Sequence, residues 1–451
     1  MLQPIKYSLI VIGLVLLTCL SCADDDPVTE PEPSMKDEEV VEEEEEVVNT
    51  NDLENPDTVI ETDLGISEFF DEAKVDDNYV LVNDAANNSV YIMDKRSKKL
   101  FDLELNAKRL GNDVQLLPDG RILAMLEAEE PTIKIGGFGG LIQLLQSDGT
   151  VEWSYDYSSE DYIAHHDAEL LPNGNIIFQI WERKTADESI ANGYTLEVDV
   201  FPDGILEVDP KSNEIVWEWH AWDHLVQAHD ETKANFGTIG ENPQRINVNY
   251  ITDEKGDIMH ANGISYDANR DIIYLSANFF SEVWVIDHST TKEEAASNEG
   301  GNYGKGGDLI YRFGNPRAYN NQTGPVRFDH NHYPNLLTGE DEGKMLIFSN
   351  GFEAGKSTVY ELQLPTSFDL RPNSDNEPLV LWSFTNDTLF SPKVSGAIKL
   401  PNGNRLITEG DRGYWEVTEE GKVVWRFKGK GFFWRGYHVE KNAEIINNLG
   451  I

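Results

Sequence analysis

Leu400-Pro401-Asn402-Gly403-Asn404-Arg405-Leu406-Ile407-Thr408-Glu409 decides the fold, because it is a turn feeding an apolar strand and its opening four-residue phrase occurs twice earlier in the chain. The earlier copies are Leu117-Pro118-Asp119-Gly120 and Leu171-Pro172-Asn173-Gly174. In each, Pro sets the first corner and Gly tolerates the last, so the phrase predicts a β-turn with a strand behind it. A second phrase is a strand, a polar turn and a strand that ends on a bulky aromatic. It runs from Ile205 to Asp209 into Ile215-Val216-Trp217, and from Trp415-Glu416-Val417 into Val423-Val424-Trp425. With the closing aromatic as marker, Phe101, Trp153, Trp217, Tyr311, Trp382 and Trp425 define six units, separated by 52, 64, 94, 71 and 43 residues. Those intervals fit four short strands per unit plus insertions, the longest with a helix or loop over 222–249. Evenly spaced short strands without helical period predict an all-β chain folded as a six-bladed β-propeller. A sandwich of two sheets is the other all-β arrangement the pattern serves.

Outside this repeat, the N-terminus reads as a leader. Lys6 precedes an apolar run over 9–17, which ends at Thr18-Cys19-Leu20-Ser21-Cys22. The run is too short for a permanent membrane span and has the layout of a secretory signal. A small residue before Cys22 suits lipoprotein processing, so Cys22 is the expected lipid anchor; an ordinary cleaved signal with two incidental cysteines is the alternative. An unbroken acidic run over 42–46 follows, in a Pro- and Glu-rich stretch with little to bury. The expected organisation is a signal over 1–21, an acidic disordered tether over 22–70 and the propeller over 71–451. Such a chain would be an exported lipoprotein of the outer membrane, facing the periplasm or the cell surface. An acidic run after the anchor resembles the surface-export signal of some bacterial lipoproteins. Both cysteines lie in the leader, so the folded part can form no disulfide and depends on a large core.

The formal net charge of -45 makes nucleic acid an unlikely partner by simple repulsion. It also requires that any site for an anion bring its own Arg, Lys or His. Three units place histidine just ahead of an inner strand: His165-His166-Asp167, His260-Ala261-Asn262-Gly263 and His330-Asn331-His332. In a propeller these positions converge on the central channel, and one such histidine would mean little where three suggest a shared site. His220, His224, His229, His288 and His438 fall in closing strands, an insertion or near the terminus, and read as structural or surface residues.

The stretch from His260 through Asp267, the strand from Tyr274 to Asp287, Gly307 to Pro316, Ser395 to Asn404 and Thr408-Glu409-Gly410 together resemble the arylsulfotransferase family, over about Asn112 to Tyr437. The resemblance implies a propeller enzyme that moves a sulfuryl group from an aryl sulfate to a phenolic acceptor through a sulfated histidine, with no nucleotide donor and no cofactor. It implies His332 as nucleophile, with His260 and His166 as supporting catalytic donors around the sulfuryl oxygens. His165, His330, Asn262, Asn278, Arg312 and Glu409 are the further residues expected at the substrate. Two departures stand out. Asn331 precedes His332 where the family typically has glutamine, which leaves His330 as a competing nucleophile. Asn278 stands eighteen residues after His260, where the best known members carry an arginine. Arg312 from the next strand is the expected substitute, unless it is an ordinary solvated strand arginine.

Other motifs carry less. Gly355-Lys356-Ser357 lacks the first glycine of a phosphate-binding loop, since that position is Asn350. The glycine-rich run over 136–140 has no following helix or paired acid and reads as an inter-strand loop. No His-Glu-x-x-His or clustered Cys pattern predicts a metal, although central histidines would offer ligands. Phe279, Phe280, Trp284, Phe432, Phe433 and Trp434 are candidates for a phenol pocket or for blade packing. Three functions therefore stay open: sulfuryl transfer, a non-catalytic ligand-binding propeller at the cell surface, and a metal-dependent enzyme using the same histidines.

Overall fold

The computed structural model describes residues 48–49, 59–105 and 107–451. The leader, Cys22 and the acidic run lie outside them. Six of the seven described sheets are blades built on antiparallel ladders, and their inner strands pack against one another in a closed cycle, which makes the chain a six-bladed β-propeller and not a sandwich. Blade 2 begins at Leu110–Leu116, blade 3 at Tyr162–Leu170, blade 4 at Ala261–Asp267, blade 5 at Asn331–Leu336 and blade 6 at Gly396–Lys399. Each predicted aromatic does close a blade, from Phe101 in Lys99–Leu103 to Trp425 in Val423–Gly429.

Two strands lock the ring. Phe433–Val439, near the C-terminus, is the inner strand of blade 1 and pairs with Tyr79–Asp84. Gly65–Phe70 pairs with Val423–Gly429 as an extra outer strand on blade 6. That second strand, with Ile60–Glu61 paired beside it, lies inside the stretch read as tether, so the described strands reach further toward the N-terminus than expected. Its reason is local: Phe69 and Phe70 are buried, and the outer edge of blade 6 offers free backbone groups to pair.

The three repeated turns share one hydrogen-bond pattern. The N–H groups of Gly120, Gly174 and Gly403 donate to Leu117, Leu171 and Leu400, all at 2.9 Å. All three glycines sit at φ of 88–89°, a left-handed bulge that turns one strand into the next and that a side chain would strain. The long insertion over 222–249 holds two 3₁₀ turns, Ala221–His224 and Ile239–Glu241, and a short parallel pair, Leu225–Val226 with Ile246–Asn247. Large apolar side chains dominate the core between blades: Trp181, Trp219, Trp284, Trp415 and Trp425 are fully buried. Each large apolar side chain so placed contributes about 1.5–3 kcal/mol, which replaces the disulfides the folded part lacks.

Five of the six inner strands carry a bulge at the same depth. Pairing skips from Leu110 to Val114, His165 to Ala168, Ala261 to Ile264, His332 to Asn335 and Phe433 to Gly436. A bulge leaves residues unpaired and re-aims their side chains, and here the skipped residues turn to the ring axis. The histidines prove to be one step out of register. His165 and His332 are the last paired residues before their bulges, whereas blade 4 has Ala261 there and His260 one residue earlier.

Candidate active site

At the axis, Asn112, Asp113, His166, Asn262, His332, Val394, Ser395, Trp434 and Arg435 enclose a cavity of about 20 Å³, space for one water. All six blades contribute. Val394 and Ser395 enter just ahead of the blade 6 strand, with φ of 51° and 89°. Left-handed backbone is costly for a β-branched valine, so the surrounding contacts must hold that turn in place. One of them is Gly410, where an added Cβ would fall 2.2 Å from a Val394 methyl.

His332 is held by both ring nitrogens. Nδ1–H donates to Asn350 Oδ1 at 2.6 Å, and the Val394 N–H donates to Nε2 at 3.1 Å. Asn350 has its amide fixed in turn, because Nδ2 donates to the carbonyls of Ser391 (2.8 Å) and Val394 (3.0 Å). The imidazole is therefore the Nδ1–H tautomer, with its lone pair on Nε2. Burial pushes its pKa down to about 3 against the Asn350 hydrogen bond, with help from the charges on His260 and Arg435. His332 is a neutral, oriented base at neutral pH.

The neighbouring asparagines position this ring. The Asn331 carbonyl accepts from Asn262 (2.8 Å), Asn278 (3.0 Å) and the Ser276 hydroxyl (3.1 Å). Asn331 itself points into blade 4, donating to Ser276 and to the Glu282 carbonyl. Asn278 Nδ2 also lies 3.4 Å from His332 Nδ1, so it stands beside the nucleophile candidate as a buried amide and adds no charge.

His260 pairs with Asp257 at 2.6 Å. Burial opposes its charge, but Asp257 and Asp203 outweigh that and raise its pKa. Its ring stacks on Phe279 at 4.8 Å and meets the His166 ring edge-on at 5.1 Å. His166 lines the cavity, neutral because burial and the charge on His260 keep its pKa well below the ordinary value. His165 lies behind it, stacked on Trp181 at 3.8 Å and bonded to His166 at 2.9 Å, so it supports the site from within the core.

A wider vestibule of about 1640 Å³ adjoins this cluster. Its walls include the loop over 132–136, Tyr250 to Asp253, Phe279, Phe328 and the cations Lys134, Arg183, Lys255 and Arg317. His330 faces the vestibule, 3.1 Å from Asp329 and beside Phe352. The two competing histidines are thus separated: His332 is on the axis and His330 on the vestibule wall. His260 stands between the two spaces, touching His166 on one side and Asp257 and Phe279 of the vestibule wall on the other.

Arg435 was not a candidate on sequence grounds, yet it is the cation of the axial cavity. It donates to Asp113 (3.2 Å), Asp167 (2.9 Å) and the Asn262 carbonyl (3.1 Å), and its guanidinium lies 4.1 Å over Tyr333. Two expected residues are elsewhere. Arg312 is fully buried on the outer strand of blade 4, where it pairs with Glu282 and donates to the Pro243 and Arg245 carbonyls, so it reaches no substrate. Glu409 is also buried, accepting from Trp415 Nε1 at 2.7 Å and the Phe390 N–H at 3.2 Å. Arg312 is expected only as a stand-in for the missing cation at 278 and Glu409 only through the resemblance, and strand alternation turns both into blade interiors. Of the aromatics, Phe279 lines the vestibule and Trp434 the axial cavity, whereas Phe280, Trp284 and Phe433 are core. Phe432 packs edge-on against Trp434 at 5.7 Å. Among the described residues no group of three or more His, Cys, Asp or Glu side chains is arranged to hold a metal ion.

The fold is a six-bladed propeller with an oriented, neutral imidazole on the axis of its ring. The chain is a member of the arylsulfotransferase family: the family model described as Arylsulfotransferase (ASST) matches residues 113–430. At the level of the family, the match supports a sulfotransferase, and the family implies an aryl sulfate donor and a phenolic acceptor. No curated protein matches the chain. Among solved structures, it is similar to a protein of unknown function from Bacteroides caccae, at 15% identity and a TM-score of 0.47, covering 81% of this chain and 99% of that one. It is also similar to the periplasmic gluconolactonase PpgL of Pseudomonas aeruginosa, at 10% identity and a TM-score of 0.38, covering 80% and 99%.

Proposed function

We propose that this chain transfers a sulfuryl group from an aryl sulfate to a phenol through a sulfated His332, without a nucleotide donor. The observation that carries the reading is the state of His332, a neutral imidazole with Nδ1–H tied to Asn350 and its Nε2 lone pair at a cavity shared with His166 and Arg435. In the first half-reaction Nε2 gives its lone pair to sulfur. The S–O bond breaks, the aryl oxygen leaves with the bonding pair, and His260, charged through Asp257, supplies it a proton. In the second half, the acceptor phenol gives its proton back to His260, its oxygen attacks sulfur, and the N–S pair returns to Nε2.

Two features of the resting site must change first. The Val394 N–H occupies the Nε2 lone pair, and a water-sized cavity is too small for a sulfuryl group. Both are relieved if the turn carrying Val394 swings away from the axis. The vestibule, larger than the 300–1,000 Å³ typical of ligand pockets, has ample room for the aryl ring.

The test is incubation of the propeller with p-nitrophenyl sulfate, with and without phenol, following p-nitrophenolate and searching His332 for the added mass of one SO₃ group. Phenol-dependent release with labelled His332 supports the reading, and silence with several donors removes it. The occupied lone pair and the amide at 278 favour a second reading, a ligand-binding propeller without turnover. In that case His332→Ala would leave affinity for an aryl sulfate nearly unchanged. Export and attachment through Cys22 belong to the same proposal; fatty-acid labelling that survives Cys22→Ala would refute the anchor.

A further inference from the structure

The cation expected at position 278 is absent, and Arg312 is sealed into blade 4 by Glu282. A sulfuryl group arriving at His332 still needs a charged donor. We propose that Arg435 is that donor, the residue that holds the sulfuryl oxygens in this chain; the proposal rests on the sulfuryl-transfer reading above.

The placement is specific. Arg435 comes from the ring-closing strand, beyond the family-matched span of 113–430. Its side chain crosses the axis to reach the inner strands of blades 2, 3, 4 and 5, through Asp113, Asp167, Asn262 and Tyr333. It lines the same small cavity as His332 and His166. A guanidinium has five N–H donors, and three are used by Asp113, Asp167 and the Asn262 carbonyl. The Nε–H and one Nη2–H are left for a ligand. Trp434, the preceding residue, lines the cavity too, and its buried indole N–H has no hydrogen-bond partner.

The carboxylates do not cancel the site. Asp113 from blade 2 and Asp167 from blade 3 both face the guanidinium, along with Tyr437 from blade 1, Asn262 from blade 4, Tyr333 from blade 5, and His166 and Glu169 of blade 3 itself. Burial and the charge of Asp113 push Asp167 up to about 6 against the pull of Arg435. An incoming anion favours the protonated carboxyl further, which leaves Arg435 facing one carboxylate and one neutral acid. A hydrogen bond from a charged donor is roughly twice as strong as one from a neutral donor, which is why an amide at 278 is a poor replacement.

The experiment compares wild type, R435K, R435Q and D167N in two assays: the p-nitrophenolate burst as a function of donor, and binding of inorganic sulfate by calorimetry, which needs no turnover. The expected result is a rise of about 10- to 100-fold in the half-saturating donor and in the sulfate dissociation constant for R435Q, a smaller rise for R435K, and an unchanged KM for phenol. D167N removes one counter-charge and is expected to tighten sulfate several-fold. A residue that only clamps the blades gives the reverse pattern, a lower melting temperature in D167N with sulfate affinity unmoved. If R435Q does not fold, R435K and D167N decide. Unchanged donor and sulfate constants in both overturn the proposal. Absence of any turnover in wild type overturns the sulfuryl-transfer reading alone, since the sulfate arm still reports on Arg435.

Discussion

Replacing Asn350 by alanine strikes the residue that sets the tautomer of His332. The Asn350 side chain makes three hydrogen bonds: it accepts from Nδ1 and donates to the Ser391 and Val394 carbonyls. Losing three buried bonds of about 1 kcal/mol each should cost about 3 kcal/mol of stability, visible as a lower melting temperature. The effect on chemistry is separable. Without Asn350 Oδ1, the Nδ1–H form loses its acceptor, and a buried N–H without a partner costs about 1–3 kcal/mol. With the Val394 N–H swung off Nε2, as the reaction requires, the proton moves to Nε2, where no lone pair remains for attack. At about 1.4 kcal/mol per factor of ten, the donor half-reaction should slow by about 10- to 100-fold, with little change in KM for the donor. The assay pairs the p-nitrophenolate burst rate with ¹⁵N spectra of the imidazole, which report directly which nitrogen carries the proton. Asn350→Asp adds a second sign. A carboxylate beside Nδ1 raises the His332 pKa from about 3, so the pH below which the donor step fails should move upward. A normal burst rate, an unmoved acid limb and an unchanged tautomer in these variants would refute the assignment of His332 as the oriented nucleophile.

Three further outcomes follow from the same contacts. Arg312→Met strands Glu282 as an unpaired buried charge and should cost about 3–5 kcal/mol, while donor and acceptor KM stay unchanged in the folded fraction; a shifted donor KM would return Arg312 to the site. Asp257→Asn removes the carboxylate that raises His260, so the upper pH limit of turnover, set by loss of the His260 proton, should fall; an unmoved limit would deny His260 the proton-transfer role. Deletion of 433–451 removes the inner strand of blade 1 and Arg435 with it, and should abolish the cooperative thermal transition; a truncated chain that melts like wild type would show that the ring does not depend on that strand.

The repeat architecture was open to reading because it is written in local chemistry. Leu-Pro-Asx-Gly makes the same turn wherever it stands, and a bulky aromatic closes a blade because its face must be covered by the next one. Six such markers therefore counted six blades. Gly65–Phe70 escaped, since a strand added to the edge of another blade has no turn phrase of its own and sits beside a charged, Pro-rich stretch. His166, His260 and His332 were found by position ahead of inner strands, and the axis does bring them close. Arg312, a stand-in for the missing cation, and Glu409, implied by the resemblance, were misplaced, because which side of a strand meets a cavity depends on its register.

What the sequence by itself determined is the number of blades, the all-β class, the absence of any disulfide from the folded part, and the family, all of which rest on short-range patterns. Only the tertiary structure decided which side chains share the axis. Five bulges re-aim residues there that pairing would otherwise have turned into the blades. Arg435 reaches His332's cavity from 103 positions further along the chain, across the ring, and Asn350 and Val394 meet the two nitrogens of one imidazole from different blades. Such contacts have no local signature, since hairpin pairing, blade-to-blade packing and ring closure together bring those positions into one place.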